Sequence, residues 1–97
     1  MNNNDKKVIR IAYGDKLKDK LYGLLREREK RGEWEKFLGT IETELMGLED
    51  ELASINYYVL RAKISSLKYL RFSYFRNTIF ECMNLITSIY DNISDND

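Results

Sequence analysis

The chain of 97 residues has no proline, no histidine, one cysteine and five scattered glycines. Each scarcity excludes something. Without proline, nothing forbids long uninterrupted helices. Without histidine there is no imidazole general base and no ordinary zinc ligand set. The lone Cys82 can form neither an intramolecular disulfide nor a cysteine-based metal site, which fits a cytoplasmic setting. The glycines never gather into a phosphate-cradling loop. No apolar run approaches the roughly 20 residues of a membrane span, and the opening MNNNDKK lacks the apolar core of a signal peptide. The expectation is a cytoplasmic protein without cofactor, metal or membrane partner.

What is present is a foldable composition, 43% hydrophobic and 12% aromatic. A chain this short buries a modest core alone, so self-association is expected. Net charge is zero but unevenly spread. Residues 1–32 carry ten bases and five acids, 33–52 one base and seven acids, 53–80 five bases and no acid, and 81–97 four acids. Such blocks point to separate surfaces, one of them suited to a polyanion, or to neighbours that neutralise each other across a helix bundle.

The segment from Lys6 to Tyr13 alternates like a strand, with Ile9, Ile11 and Tyr13 on one face and Lys6, Val8, Arg10 and Ala12 on the other. Gly14 would permit a turn and Asp15 would cap a first helix from about Lys16 to Arg31, buried through Leu17, Leu21, Leu24 and Leu25 and closed by Gly32. A second helix begins near Glu33. Its heptad seam of Trp34, Leu38, Ile41, Leu45, Leu48, Leu52, Ile55 and Val59 is interrupted, if anywhere, in MGLEDELAS. Then come Tyr57, Leu60, Ile64 and Leu67 in a different register. A kink between Leu67 and Phe72 leads to a last seam of Phe72, Phe75, Ile79, Cys82, Ile86, Ile89 and Ile93. A basic face of Arg61, Lys63, Lys68, Arg71 and Arg76 accompanies these helices.

No constellation for catalysis emerges. Cys82 on an apolar seam reads as a buried thiol, Asp19, Glu27 and Glu29 as solvated helix faces, and Trp34 as core. The expectation is a non-enzyme. The lone strand then needs a partner, because each buried unpaired backbone group costs about 1–3 kcal/mol. Two copies of Lys6–Tyr13 about a two-fold axis would form an antiparallel ribbon. That ribbon fits the major groove of duplex DNA, with Arg10 on a guanine edge and Lys6 and Lys7 on phosphates or bases.

The strand KVIRIAY, the helix DKLKDKLYGLLREREKRG and the helix beginning GEWEKFLGTIETELMGL together resemble the ribbon-helix-helix DNA-binding fold of Arc- and MetJ-like repressors and ParR-type plasmid partition adaptors. The resemblance covers residues 6–50 and rests on element order and length. It implies a mostly α dimer with one N-terminal β-strand and a C-terminal helical extension. A DNA-binding and dimerisation region would span residues 6–52 and an oligomerisation or partner-binding region residues 53–93. It assigns base reading to Lys6, Val8 and Arg10 and a phosphate clamp to Gly32–Trp34, where the family often carries Gly-x-Ser or Thr and this chain has Gly32-Glu33-Trp34. The implied partners are double-stranded DNA, a second copy of the chain and an actin-like filament protein, in a partition adaptor or related repressor. The alternative is a helical coiled-coil interaction module of phage or plasmid origin, without DNA binding, motivated by the long run from Trp34 to Val59.

Overall fold

The computed structural model describes the backbone of residues 3–96 and the side chains of residues 11–90. Its elements are α1 (Asn3–Glu29), α2 (Trp34–Met46), the single turn α3 (Glu49–Leu52), α4 (Ile55–Ser66), a 3-10 turn (Leu67–Tyr69) and α5 (Phe72–Asn96). No strand occurs among the described residues.

The ribbon-helix-helix expectation is therefore corrected. Residues 6–13 are the early turns of α1, and Gly14 and Asp15 lie within that helix rather than at a turn and a cap. The physical reason is the one that made the strand problematic. A helix satisfies its own backbone groups, whereas a lone strand satisfies none. Val8, Ile9 and Ile11 each cost only a few tenths of a kcal/mol of helix propensity. Adding turns to a helix already nucleated by the Leu17–Leu25 stripe avoids a second nucleation.

Helix α1 ends in a left-handed residue, as expected, but one position earlier than the glycine. Arg31 has φ 58°, its N–H bonds the carbonyl of Arg28 at 3.0 Å, and the Gly32 N–H reaches back to that of Glu27 at 2.9 Å. This is a Schellman closure with arginine in the glycine place. The substitution Arg31→Gly relieves the left-handed strain and is expected to raise the unfolding free energy by about 0.5–1 kcal/mol in urea titrations. A loss would mean that the arginine side chain does more for the corner than its backbone costs.

The second seam does break in MGLEDELAS. Gly47 caps α2, α3 adds one turn, and Ser54 restarts the chain by accepting the Tyr57 N–H on its hydroxyl oxygen at 3.2 Å. Leu38, Ile41, Leu45 and Leu52 of that seam are buried, but Ile55 and Val59 are exposed, because α4 turns its other face, Tyr57, Leu60 and Ile64, to the core. The Tyr57 hydroxyl donates to the Leu45 carbonyl, pinning α4 to the end of α2. The expected kink is the 3-10 turn and extended Leu70.

The four long helices form an antiparallel ring in the order α1, α2, α4, α5. The Gly23 backbone lies under Phe37, Ser65 donates to Glu42, Lys63 pairs with Glu81, and Tyr22 packs on Phe80. One core runs through it, from Leu17, Leu21, Leu24 and Leu25 of α1 to Phe75, Ile79, Cys82, Met83, Ile86, Ile89 and Tyr90 of α5. It draws on residues before and after position 53 alike. No helix among the described residues is long and apolar enough to cross a membrane.

Candidate functional site

Helices α1 and α5 run antiparallel in even steps. Ring centroids of Tyr13 and Tyr90 are 6.1 Å apart and those of Tyr22 and Phe80 6.3 Å, and the Arg28 guanidinium sits 4.3 Å from the Phe75 centroid. The inner stripe of each helix enters the core, and the residues just outside it border a shared outer face. On α1 these are Tyr22 and Arg26; on α5 they are Phe72, Arg76 and Phe80, each four residues apart and so in one row. Three large rings on this face stay in contact with solvent: Tyr22 at 42%, Phe72 at 39% and Phe80 at 37%. Phe72, expected in the last seam, is thus not a core residue. Phe80 meets Tyr22 edge-on and carries the Arg76 guanidinium 5.8 Å over its ring. Neither Arg26 nor Arg76 has an ion-pair partner among the described residues.

At one end this face meets the α1–α2 corner, where Arg28, Glu29, Arg31, Gly32, Trp34, Glu35 and Phe72 line an open hollow. The geometry of Arg28 is that of a clasp, not of an anion receptor. Nη2 donates to the Leu70 carbonyl at 2.6 Å, and the guanidinium lies 4.8 Å from the Trp34 centroid and 6.0 Å from that of Phe72. Its Nη1 is buried without a hydrogen-bond partner, in a guanidinium group that these rings surround. With Arg31 set against Glu29 and Glu35, the hollow gathers no net positive charge.

The positions singled out for DNA divide accordingly. Lys6, Lys7, Val8 and Arg10 lie on α1, and their side chains fall outside the described residues. Gly32 is exposed at the corner; Trp34 is half-buried, edge-on to Phe75 at 5.5 Å. Tyr22 and Phe80 escaped sequence reasoning. The signal that could have found Phe80 is the row Phe72, Arg76, Phe80, which departs from the heptad seam at its first step.

Elsewhere the polar groups join helices. Glu44 of α2 accepts from the Tyr13 hydroxyl and from Lys20, both on α1. Burial, helped by the bond to Glu44, pushes the Tyr13 hydroxyl up to about 12. Burial also pushes the Glu44 carboxyl up, but the donors Lys20 and Tyr13 outweigh it and leave it lowered. A phenol whose folded pKa is raised stabilises the fold in full below its unfolded value of 10.0, and this is lost as pH rises towards 12. The stability difference between the parent and Tyr13→Phe should therefore shrink across pH 10–12 in urea titrations. A difference that stays constant through that window would mean that the tyrosine proton is not held by the fold. The Cys82 thiol is pushed up to about 12 by burial, the state of an inert structural cysteine. No cluster of metal-ligating side chains occurs among the described residues.

No protein-family model, curated protein or solved structure matches this chain.

Proposed function

We propose that the chain is a non-catalytic helical interaction module that holds an acidic protein partner on the α1–α5 face. The observation that carries this reading is the row Phe72, Arg76 and Phe80 of α5, with Tyr22 packed on Phe80 and the exposed Arg26 one turn on from Tyr22. Aromatic residues and arginine are the side chains on which protein interfaces concentrate their binding energy. Their rings are rigid, and an arginine whose head lies over a ring meets a carboxylate with little further ordering.

The same composition could stack nucleobases, and the expected ribbon with Lys6 and Arg10 on its outer face pointed to DNA. Two features favour protein. Stacking needs an open ring face, yet Arg76 lies over one face of Phe80, and Tyr22 abuts it edge-on. A phosphate backbone also rewards many cations together, whereas this chain balances 16 bases with 16 acids. The ribbon that would have entered the major groove is replaced by α1, so the partition-adaptor reading is not carried forward.

The test is a titration of the isotope-labelled full chain, followed by amide NMR. The three probes are a helical peptide rich in Leu and Glu, a single-stranded oligonucleotide and a DNA duplex. Salt-sensitive shifts centred on Tyr22, Arg76 and Phe80 with the peptide, weakened at least about tenfold by Arg26→Glu with Arg76→Glu, are expected. Binding of either nucleic acid at that face in preference to the peptide, or no binding at all, would overturn the reading.

A further inference from the structure

Helix α4 is apolar on two opposite faces. Tyr57, Leu60 and Ile64 fill the core, and Ile55, Tyr58, Val59 and Ala62 form a second stripe on the other side. That outer stripe is open to solvent, with Ile55 84% exposed, Tyr58 48% and Val59 38%. The helix carries only two charged residues, Arg61 and Lys63, both on its flanks, where they pair with Glu49 of α3 and Glu81 of α5. An apolar stripe on a helix is ordinarily the side that is covered. One side of α4 has its cover within the chain.

We infer that a second copy of this chain covers the other side, with the two α4 helices packed antiparallel across a two-fold axis. The spacing is self-complementary. An axis between Tyr58 and Val59 sets Tyr58 of one copy against Val59 of the other, and the large Ile55 against the small Ala62. The charges agree with the same operator. The acids Glu49, Asp50 and Glu51 of α3 precede α4, and Lys68 follows it. Antiparallel pairing brings the acidic turn of each copy to the basic end of the other; parallel pairing would set acid on acid. Twelve residues make a helix about 18 Å long. Its stripe supplies the centre of the roughly 800 Å² per partner that a stable dimer needs. Exposed Met46 and the charged ends widen it.

The test is sedimentation of the full chain over a concentration series, for the parent, Val59→Glu and Ala62→Arg. Both positions are exposed, so at concentrations where the parent is dissociated both variants should unfold as the parent does. A parent dimer whose dissociation constant rises at least about tenfold in each variant is expected. Lys68→Glu should weaken it as well, and Asp50→Lys should restore it in that background, as only the antiparallel arrangement allows. A parent that stays monomeric throughout would overturn the inference and give the stripe to a different protein. A dimer indifferent to Val59→Glu and Ala62→Arg would overturn it by placing the interface elsewhere.

Discussion

Phe75→Ala is expected to remove about 4 kcal/mol of unfolding free energy, in the range found when a buried phenylalanine is truncated in a close-packed core. Small domains hold only about 5–15 kcal/mol in total, so the variant should sit near its folding threshold. The ring is fully buried where α5 starts, and more than its own contacts depends on it. Trp34 packs on it edge-on at 5.5 Å, and the Arg28 guanidinium lies 4.3 Å from its centroid. Without the ring, Arg28 Nη1 stays buried and loses one of the π faces around it. The corner of α1 and α2 and the kink before α5 should loosen together. Urea unfolding followed by the fluorescence of Trp34, the one tryptophan, reads this directly. The control is Phe80→Ala, five residues on and half exposed, expected to cost under about 1.5 kcal/mol while weakening the proposed peptide contact. If Phe75→Ala costs no more than Phe80→Ala, the division of α5 into a core side and a binding side is wrong.

That division marks how far the sequence could be read. The stripes Leu17–Leu21–Leu24–Leu25, Tyr57–Leu60–Ile64–Leu67 and Phe75–Ile79–Cys82–Ile86–Ile89 are all buried as their spacing implied, because helical period reports a covered side directly. The kink before Phe72 and the break in MGLEDELAS were legible from register change and glycine. What period cannot report is which of two apolar faces the chain itself covers. Ile55 and Val59 continue a perfect 3–4 seam from Trp34 and still end in solvent, because Ser54 restarts the helix and α4 is rotated. Phe72 begins a perfect seam and is left on the rim. The candidate face was illegible for the same reason: an aromatic residue in the core and one on a binding surface look alike until the neighbouring helices are placed. The N-terminal error is of another kind. Ile9, Ile11 and Tyr13 recur at every second residue over too short a run to separate a strand from a helix, and β propensity decided it wrongly. The unpaired backbone was the better guide.

Gly14 tests that corrected N-terminus. Read as a turn before a cap, it would owe its place to backbone freedom. In α1 it is instead buried beneath the Tyr90 ring, where an added Cβ would stand 3.1 Å from Cδ2 and 3.2 Å from Cγ. Gly14→Ala should gain up to about 1 kcal/mol of helix propensity and lose a comparable amount to this crowding, for a small net change. Gly14→Val adds two methyls and brings no such gain, and is expected to destabilise by about 1–3 kcal/mol. Gly39 of α2 provides the contrast. It is exposed, nothing lies within 4 Å of its added Cβ, and Gly39→Ala should stabilise by about 0.5–1 kcal/mol. The decisive measurement is the double-mutant cycle of Gly14→Val with Tyr90→Leu by urea unfolding. If the ring is what resists the larger side chain, its replacement should recover a good part of the Gly14→Val loss, a coupling of at least about 0.5 kcal/mol. Strict additivity would mean that Gly14 and Tyr90 do not meet, and with them would go the antiparallel register of α1 and α5 on which the candidate face is built.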